Sequence, residues 1–214
     1  MTASPATATW WGGVPAADVV ADAHLLAAVD EALAGSGAGA ELVCTHEDRP
    51  APGSRTGVRI GVALRLTGEP ADPAATRSAL ARALSGPVLA QAGSADDSAD
   101  DQADHQADDA SAPARTALAE AGSGSAGRAV RFPGSAGVTG RVTVADLVAR
   151  TGIDEVRGLY GPVADGDVVE TGPNGFLRPI WHGGQLVLLV EPTAGGVLKP
   201  FEIESPHQCC GGEH

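Results

Sequence analysis

Residues 40–68 read AELVCTHEDRPAPGSRTGVRIGVALRLTG, two apolar runs on either side of a connection punctuated by Pro and Gly. The first run, AELVCTHED, has the period of a strand. Leu42, Cys44 and His46 fall on one face and Val43 on the other. The second run, VRIGVALRLTG, alternates more strongly. Val58, Ile60, Val62, Leu64 and Leu66 point one way, and Arg59 and Arg65 the other. The loop RPAPGSRTG between them makes the pair a hairpin with a long connection.

Helices flank this hairpin. Upstream, VPAADVVADAHLLAAVDEALA (14–34) places Val19, Ala23, Leu26, Val29 and Leu33 near one stripe, with Pro15 suited to an early helical position. His24 sits near that stripe and reads as a core histidine. Downstream, DPAATRSALARALSG (72–86) carries its own boundaries: Asp72 as N-cap, Pro73 at the first helical position, and Gly86 after the end.

Further on, SADDSADDQADHQADDASAPA (94–114) has no hydrophobic period. Such a stretch buries too little apolar surface to offset its ordering entropy. Residues 93–127 are expected to be a disordered insertion, apart from a short helix near Thr116–Ala121. The run from Asp96 to Asp109 holds seven aspartates, about half of the net charge of −13. The remainder of the chain is no more acidic than solubility explains.

The second half contains RAVRFP as a strand and TVADLVARTG as a compact helix with Thr143 as N-cap and Gly152 beyond its end. DVVETG, GFLRPIW, QLVLLVEP and VLKPFEI follow as short strands separated by the turns TGPNG, HGGQ and TAGG. The expected fold is α+β: small antiparallel sheets with two to three helices and a disordered acidic insertion. The expected boundaries are an α/β half over 1–92, the insertion over 93–127, a β-rich half over 128–206 and a Cys/His tail over 207–214. One domain carrying an insertion is the other arrangement. Aromatics are 3% of the residues, so the core is expected to be aliphatic, built mainly from Val, Leu and Ala.

Several function classes are disfavoured. The acidic balance leaves no electrostatic footprint for nucleic acid. No stretch approaches the ~20 apolar residues of a membrane span. The N-terminal MTASPATATWWGG has neither a basic region nor an apolar core of a secretory signal, so a cytoplasmic location is expected. No glycine-rich phosphate loop with Lys and no dinucleotide fingerprint is present, so no nucleotide cofactor is expected. His-Glu-x-x-His and Gly-x-Ser-x-Gly are also missing.

Two short resemblances exist. GPNGFLR (172–178) resembles a hairpin motif in the C-terminal β domains of phosphocholine-specific phospholipases C. That match spans seven residues and carries no catalytic group, and a turn followed by a strand explains it. TVADLVARTGI resembles the first helix of helix-turn-helix repressors, but DEVRGLYGPV after it is acidic and broken by Gly and Pro, so no recognition helix follows.

The chemistry concentrates in SPHQCCGGEH (205–214). His207, Cys209, Cys210 and His214 offer two imidazoles and two thiols, a donor set suited to zinc, copper or iron. Adjacent cysteines chelate one ion only in a turn, which Gly211 and Gly212 permit. Cys44 and His46 share a strand face and are candidate further ligands if the tail folds back. The first expectation is therefore a metal-binding accessory protein. The second is a metal- or thiol-dependent enzyme acting on a small molecule, with Cys209 and Cys210 as candidate catalytic thiols. The third is a scaffold whose acidic insertion, or Trp10 and Trp11, meets a protein partner.

Overall fold

The computed structural model describes residues 9–50, 57–90 and 105–204, with side chains from Asp109 onward in the last segment. The chain divides into two compact units, Met1–Pro133 with Trp181–Gly184, and Gly134–Ile180 with Gln185–His214.

The first unit opens with β1 (Trp10–Gly13), α1 (Asp22–Leu33), β2 (Ala40–Asp48), β3 (Arg59–Leu66), α2 (Pro73–Leu84) and β4 (Val88–Ala90). The strands run in the order β4-β1-β3-β2, and every neighbouring pair is antiparallel. This is the split βαβ arrangement of ferredoxin-like sheets, a frame that hosts many unrelated activities and assigns none. Next come α3 (His105–Ser123) and β5 (Arg128–Arg131), which extends the sheet beyond β2.

One face of this sheet packs on α1 and α2. Leu25, Val29 and Leu33 of α1 and Leu80 and Leu84 of α2 meet Trp11, Val43, Val62, Leu64 and Val130 in a single apolar cluster. The other face is covered by α3, where Ala114, Ala117 and Ala121 form a buried stripe at helical spacing. That helix lies close because the strands beneath it present glycine. A Cβ on Gly61 would stand 2.0 Å from the Pro113 carbonyl oxygen, and one on Gly12 would stand 2.6 Å from the Ala114 oxygen.

Pro113 sits inside α3 and has no N–H for the Asp109 carbonyl one turn earlier. Arg59 supplies the missing donor: its Nη1 bonds the Asp109 oxygen at 2.9 Å. The same guanidinium donates to Asp48 Oδ2 at 2.8 Å through Nη2, and Thr116 donates to Asp48 Oδ1 at 3.0 Å. The helix break is therefore satisfied by groups from β2 and β3.

The second unit begins with a 3₁₀ turn at Ser135–Gly137, then β6 (Arg141–Thr143), α4 (Val144–Arg150), β7 (Glu155–Gly158) and β8 (Val168–Glu170). After β9 (Ile180–His182) come β10 (Gln185–Pro192) and β11 (Leu198–Pro200). β10 pairs antiparallel with β11 and parallel with β7. β8 pairs parallel with β11 and antiparallel with β6. Thr143 caps α4 as expected, accepting from Asp146 N at 3.1 Å.

The structure is α+β, and it corrects the sequence reading in extent. The described residues hold four α-helices and eleven strands, not two or three helices over small sheets. The second unit is mixed rather than antiparallel. α3 runs as a helix over residues 105–123, where a disordered insertion was expected. The remainder of the Asp-rich run, up to residue 104, lies outside the described residues. α1 begins at Asp22 rather than near Pro15, because the preceding backbone is engaged elsewhere: Val14 N bonds Pro87 O and Ala16 N bonds Leu84 O. His24 is exposed rather than a core residue, its Nδ1 3.1 Å from the Asp18 oxygen.

The α2 cap is as the sequence predicts. Asp72 Oδ1 accepts from Ala75 N at 2.9 Å. Ser85 takes the left-handed position at φ 57, and Gly86 N bonds Ala81 O at 3.1 Å. Asp72→Ala is expected to lower stability by about 1 kcal/mol, read as a lower denaturant midpoint at constant slope.

Candidate functional site

β2 carries Cys44 and His46 on the face that α3 covers, and Val43 on the face of α1 and α2. The expected shared face is present, yet both residues are enclosed. Cys44 has no exposed surface and His46 retains only 2%. Opposite them in the ladder stand small residues, Ala63 and Ala129 across from Cys44 and Gly61 across from His46.

Among the described residues the His46 ring has one hydrogen-bond partner. Its Nδ1 lies 2.9 Å from Glu120 Oε2, on the last turns of α3. A carboxylate accepts only, so Nδ1 carries the proton and donates. Burial holds the His46 pKa below its ordinary value, and the Glu120 carboxylate opposes that shift by hydrogen bonding and by charge. In the neutral imidazole Nε2 is then a bare acceptor. It is buried and has no hydrogen-bond partner among the described residues. The ring lies against Gly127, where an added Cβ would stand 2.3 Å from His46 Cε1.

The surroundings of Cys44 are apolar. Burial pushes the thiol up to about 12, against smaller opposing pulls from the Trp181 indole and the Arg65 guanidinium. Trp181 follows β5 in the sheet order and bonds its backbone N to Gly127 O at 2.9 Å. Its Nε1 is buried without a hydrogen-bond partner among the described residues. The sulfur is a weak acceptor that lies near the indole without closing a well-formed bond. Cys44 is therefore a protonated, shielded thiol, the opposite of the electropositive, accessible setting a nucleophile needs.

A carboxylate-oriented imidazole with a free Nε2 is the arrangement of a general base or of a metal ligand. Here Nε2 reaches neither solvent nor a third donor. Among the described residues no three His, Cys, Asp or Glu side chains converge on a common point that a metal ion would occupy. No protein-family model, no curated protein and no solved structure matches the chain. The site is thus read from its own geometry.

The remaining sequence candidates separate clearly. His207, Cys209, Cys210 and His214 lie outside the described residues. Trp11 is a core residue, 2% exposed. Trp10 is half-buried against the cluster of Ala63, Ala117 and Ala121, with the Arg65 guanidinium 5.7 Å from its ring centroid. Trp11 therefore has no free aromatic surface, while Trp10 stays partly exposed. Among the described residues no helix is long and apolar enough to cross a membrane.

In the second unit, Arg178 lies over the Phe176 ring at 3.9 Å and bonds the Leu177 oxygen at 2.7 Å. The Gly172–Gly175 turn before it is tied to Gly140, whose N bonds Gly172 O at 2.9 Å. That stretch is a structural turn.

Sequence reasoning missed Glu120. It lies 74 positions from His46, in a segment that composition marked as unstructured. The available signal was the Ala114, Ala117 and Ala121 stripe, which places Glu120 beside the buried face.

Proposed function

We propose that the protein is a metal-binding accessory protein whose ligands are His207, Cys209, Cys210 and His214. The observation that carries this reading is the donor set itself: two imidazoles and two thiols within the last eight residues, with two glycines that allow a chelating turn. Soft sulfur and borderline nitrogen donors favour zinc, copper(I) or iron over calcium or magnesium.

Cys44 and His46 are left out of this ligand set. Each is buried, and the His46 proton-bearing nitrogen is already committed to Glu120. Their enclosure also weighs against an enzyme built on Cys44, because a thiol held near 12 supplies almost no thiolate at neutral pH.

Elemental analysis of anaerobically purified full-length chain, beside a chain ending at Pro206, tests the reading. About one equivalent of zinc, copper or iron is expected in the first and none in the second. Thiol titration of the metal-free full chain should show fast reaction at Cys209 and Cys210 and none at Cys44 until the protein is denatured. Equal metal content in the two chains, or none in either, overturns the proposal.

A further inference from the structure

The His46–Glu120 contact ties α3 to the sheet, and it is independent of the tail. α3 otherwise rests mainly on small side chains, Ala114, Ala117 and Ala121 against Gly12, Gly61 and Ala63, joined by Leu118 over Gly12 and by the half-buried Trp10. Alanine contacts bury little area each, so such an interface is weak per residue. Two polar clamps supplement it. One is the Asp48–Arg59–Thr116 set near the middle of the helix. The other is His46 with Glu120 near its end.

The groups that face the His46 ring are few. α3 contributes the Glu120 carboxylate, 30% exposed as a side chain. On the same face of β2, Cys44 two positions before is a neutral thiol, and Asp48 two positions after commits its carboxylate to Arg59 of β3 and Thr116 of α3. β3 contributes Gly61, and the chain entering β5 contributes Gly127, neither with a side chain. Arg128, next in β5, bonds Asp22 of α1 through its guanidinium. Trp181, beside Cys44, adds an uncharged indole. Among the described residues, none of these groups accepts a hydrogen bond at Nε2.

We propose that His46 is an acid-sensitive latch: protonation at Nε2 releases α3 from β2 and β3. A proton there creates an N–H donor in a place with no acceptor among the described residues and no water-exposed surface, and an unsatisfied buried donor, here charged, is strongly disfavoured. Glu120 stabilises the imidazolium from one side but cannot reach Nε2. Opening α3 lets that nitrogen meet water.

The direction follows from linkage. The folded-state affinity of His46 for a proton is below its ordinary value of 6.5, so the open state binds more protons. The closed arrangement is fully favoured above the ordinary value. It loses ground as pH falls below that value toward the folded one.

Hydrogen exchange followed residue by residue on the full chain tests this. Between about pH 7.5 and about pH 5.5, after correction for intrinsic rates, the opening constant of α3 amides 114–121 should rise up to about tenfold, the ceiling for one proton. Amides of β3 at Val62–Leu64 should rise less. His46→Gln, which keeps a donor toward Glu120 and cannot titrate, should abolish the acid response. Glu120→Gln should keep it and steepen it, because the charge that supports the imidazolium is gone.

Should His46→Gln fail to fold, imidazole NMR of the wild-type chain decides. The His46 ring should show a proton on Nδ1 at neutral pH, and its titration should track α3 opening. Three results would each overturn the latch: α3 protection unchanged across this range, a response that survives in His46→Gln, or equal loss of protection in α3 and β3.

Discussion

Gly61→Ala is expected to lower stability by about 3 kcal/mol and to loosen α3 before any other element, the upper end of the range for overpacking a core. The reason is positional. Gly61 lies in β3 directly beneath the proline in α3. An added methyl would stand 2.0 Å from the Pro113 oxygen, 2.6 Å from its carbonyl carbon and 3.1 Å from the Ala117 Cβ. Two of these are backbone atoms, so no side-chain rotation relieves the contact.

The opposing term is smaller. Replacing glycine narrows the unfolded ensemble and favours folding by up to about 1 kcal/mol. The collision wins because α3 can relieve it only by lifting away, which gives up the Ala114, Ala117 and Ala121 burial and strains the Arg59 bond to Asp109. Gly68→Ala is the matched control. It lies just past β3 with nothing within 4 Å of its Cβ position, and should change stability by less than about 0.5 kcal/mol. Denaturant midpoints for both variants, with limited proteolysis across 105–123, make the comparison. A near-neutral Gly61→Ala would show that α3 does not sit on this face.

The same residue explains where the sequence was legible. A glycine in the middle of a strongly alternating strand often marks a close backbone approach, and Gly61 is that mark for α3. The strands β2 and β3 were readable because each carries its own alternation, and α2 and α4 because Asp72 and Thr143 announce their starts. All of these are local signals.

β1, β4 and β7 announce nothing. WWGG, VLA and EVRG are three or four residues long, too short for a period to appear. They become strands because a neighbour pairs with them: Trp11 with Leu64 and Ala90, and Val156 with Leu188. α3 failed as a sequence reading for the opposite reason. Its apolar face is mostly alanine, which hydropathy barely separates from its polar surroundings, and its interior proline argues against a helix. Both defects are compensated by partners distant in the chain, namely glycines in β1 and β3 and a guanidinium in β3. The His46 partner was hidden with it. Sequence spacing offered the tail as company for Cys44 and His46, while packing provided Glu120 and a closed lid of alanine.

Gly127→Ala is expected to be the most damaging single methyl near this pair, at about 3–4 kcal/mol, because two penalties meet in one residue. Gly127 has φ +114, a conformation open to glycine and strained by roughly 1–3 kcal/mol for any residue with a Cβ. The new methyl would also stand 2.3 Å from His46 Cε1 and 2.8 Å from both ring nitrogens. The ring cannot retreat without leaving Glu120, so α3 loses its second clamp, and the acid response of its amides should disappear with it.

The two penalties can be separated. In a background of His46→Ala the collision has no target, and only the backbone strain remains. The double variant should therefore be more stable than the sum of the two single effects predicts, by about 1–2 kcal/mol of coupling. If the effects simply add, the ring does not press on Gly127, and the enclosure of Nε2 on which the latch depends is lost with it.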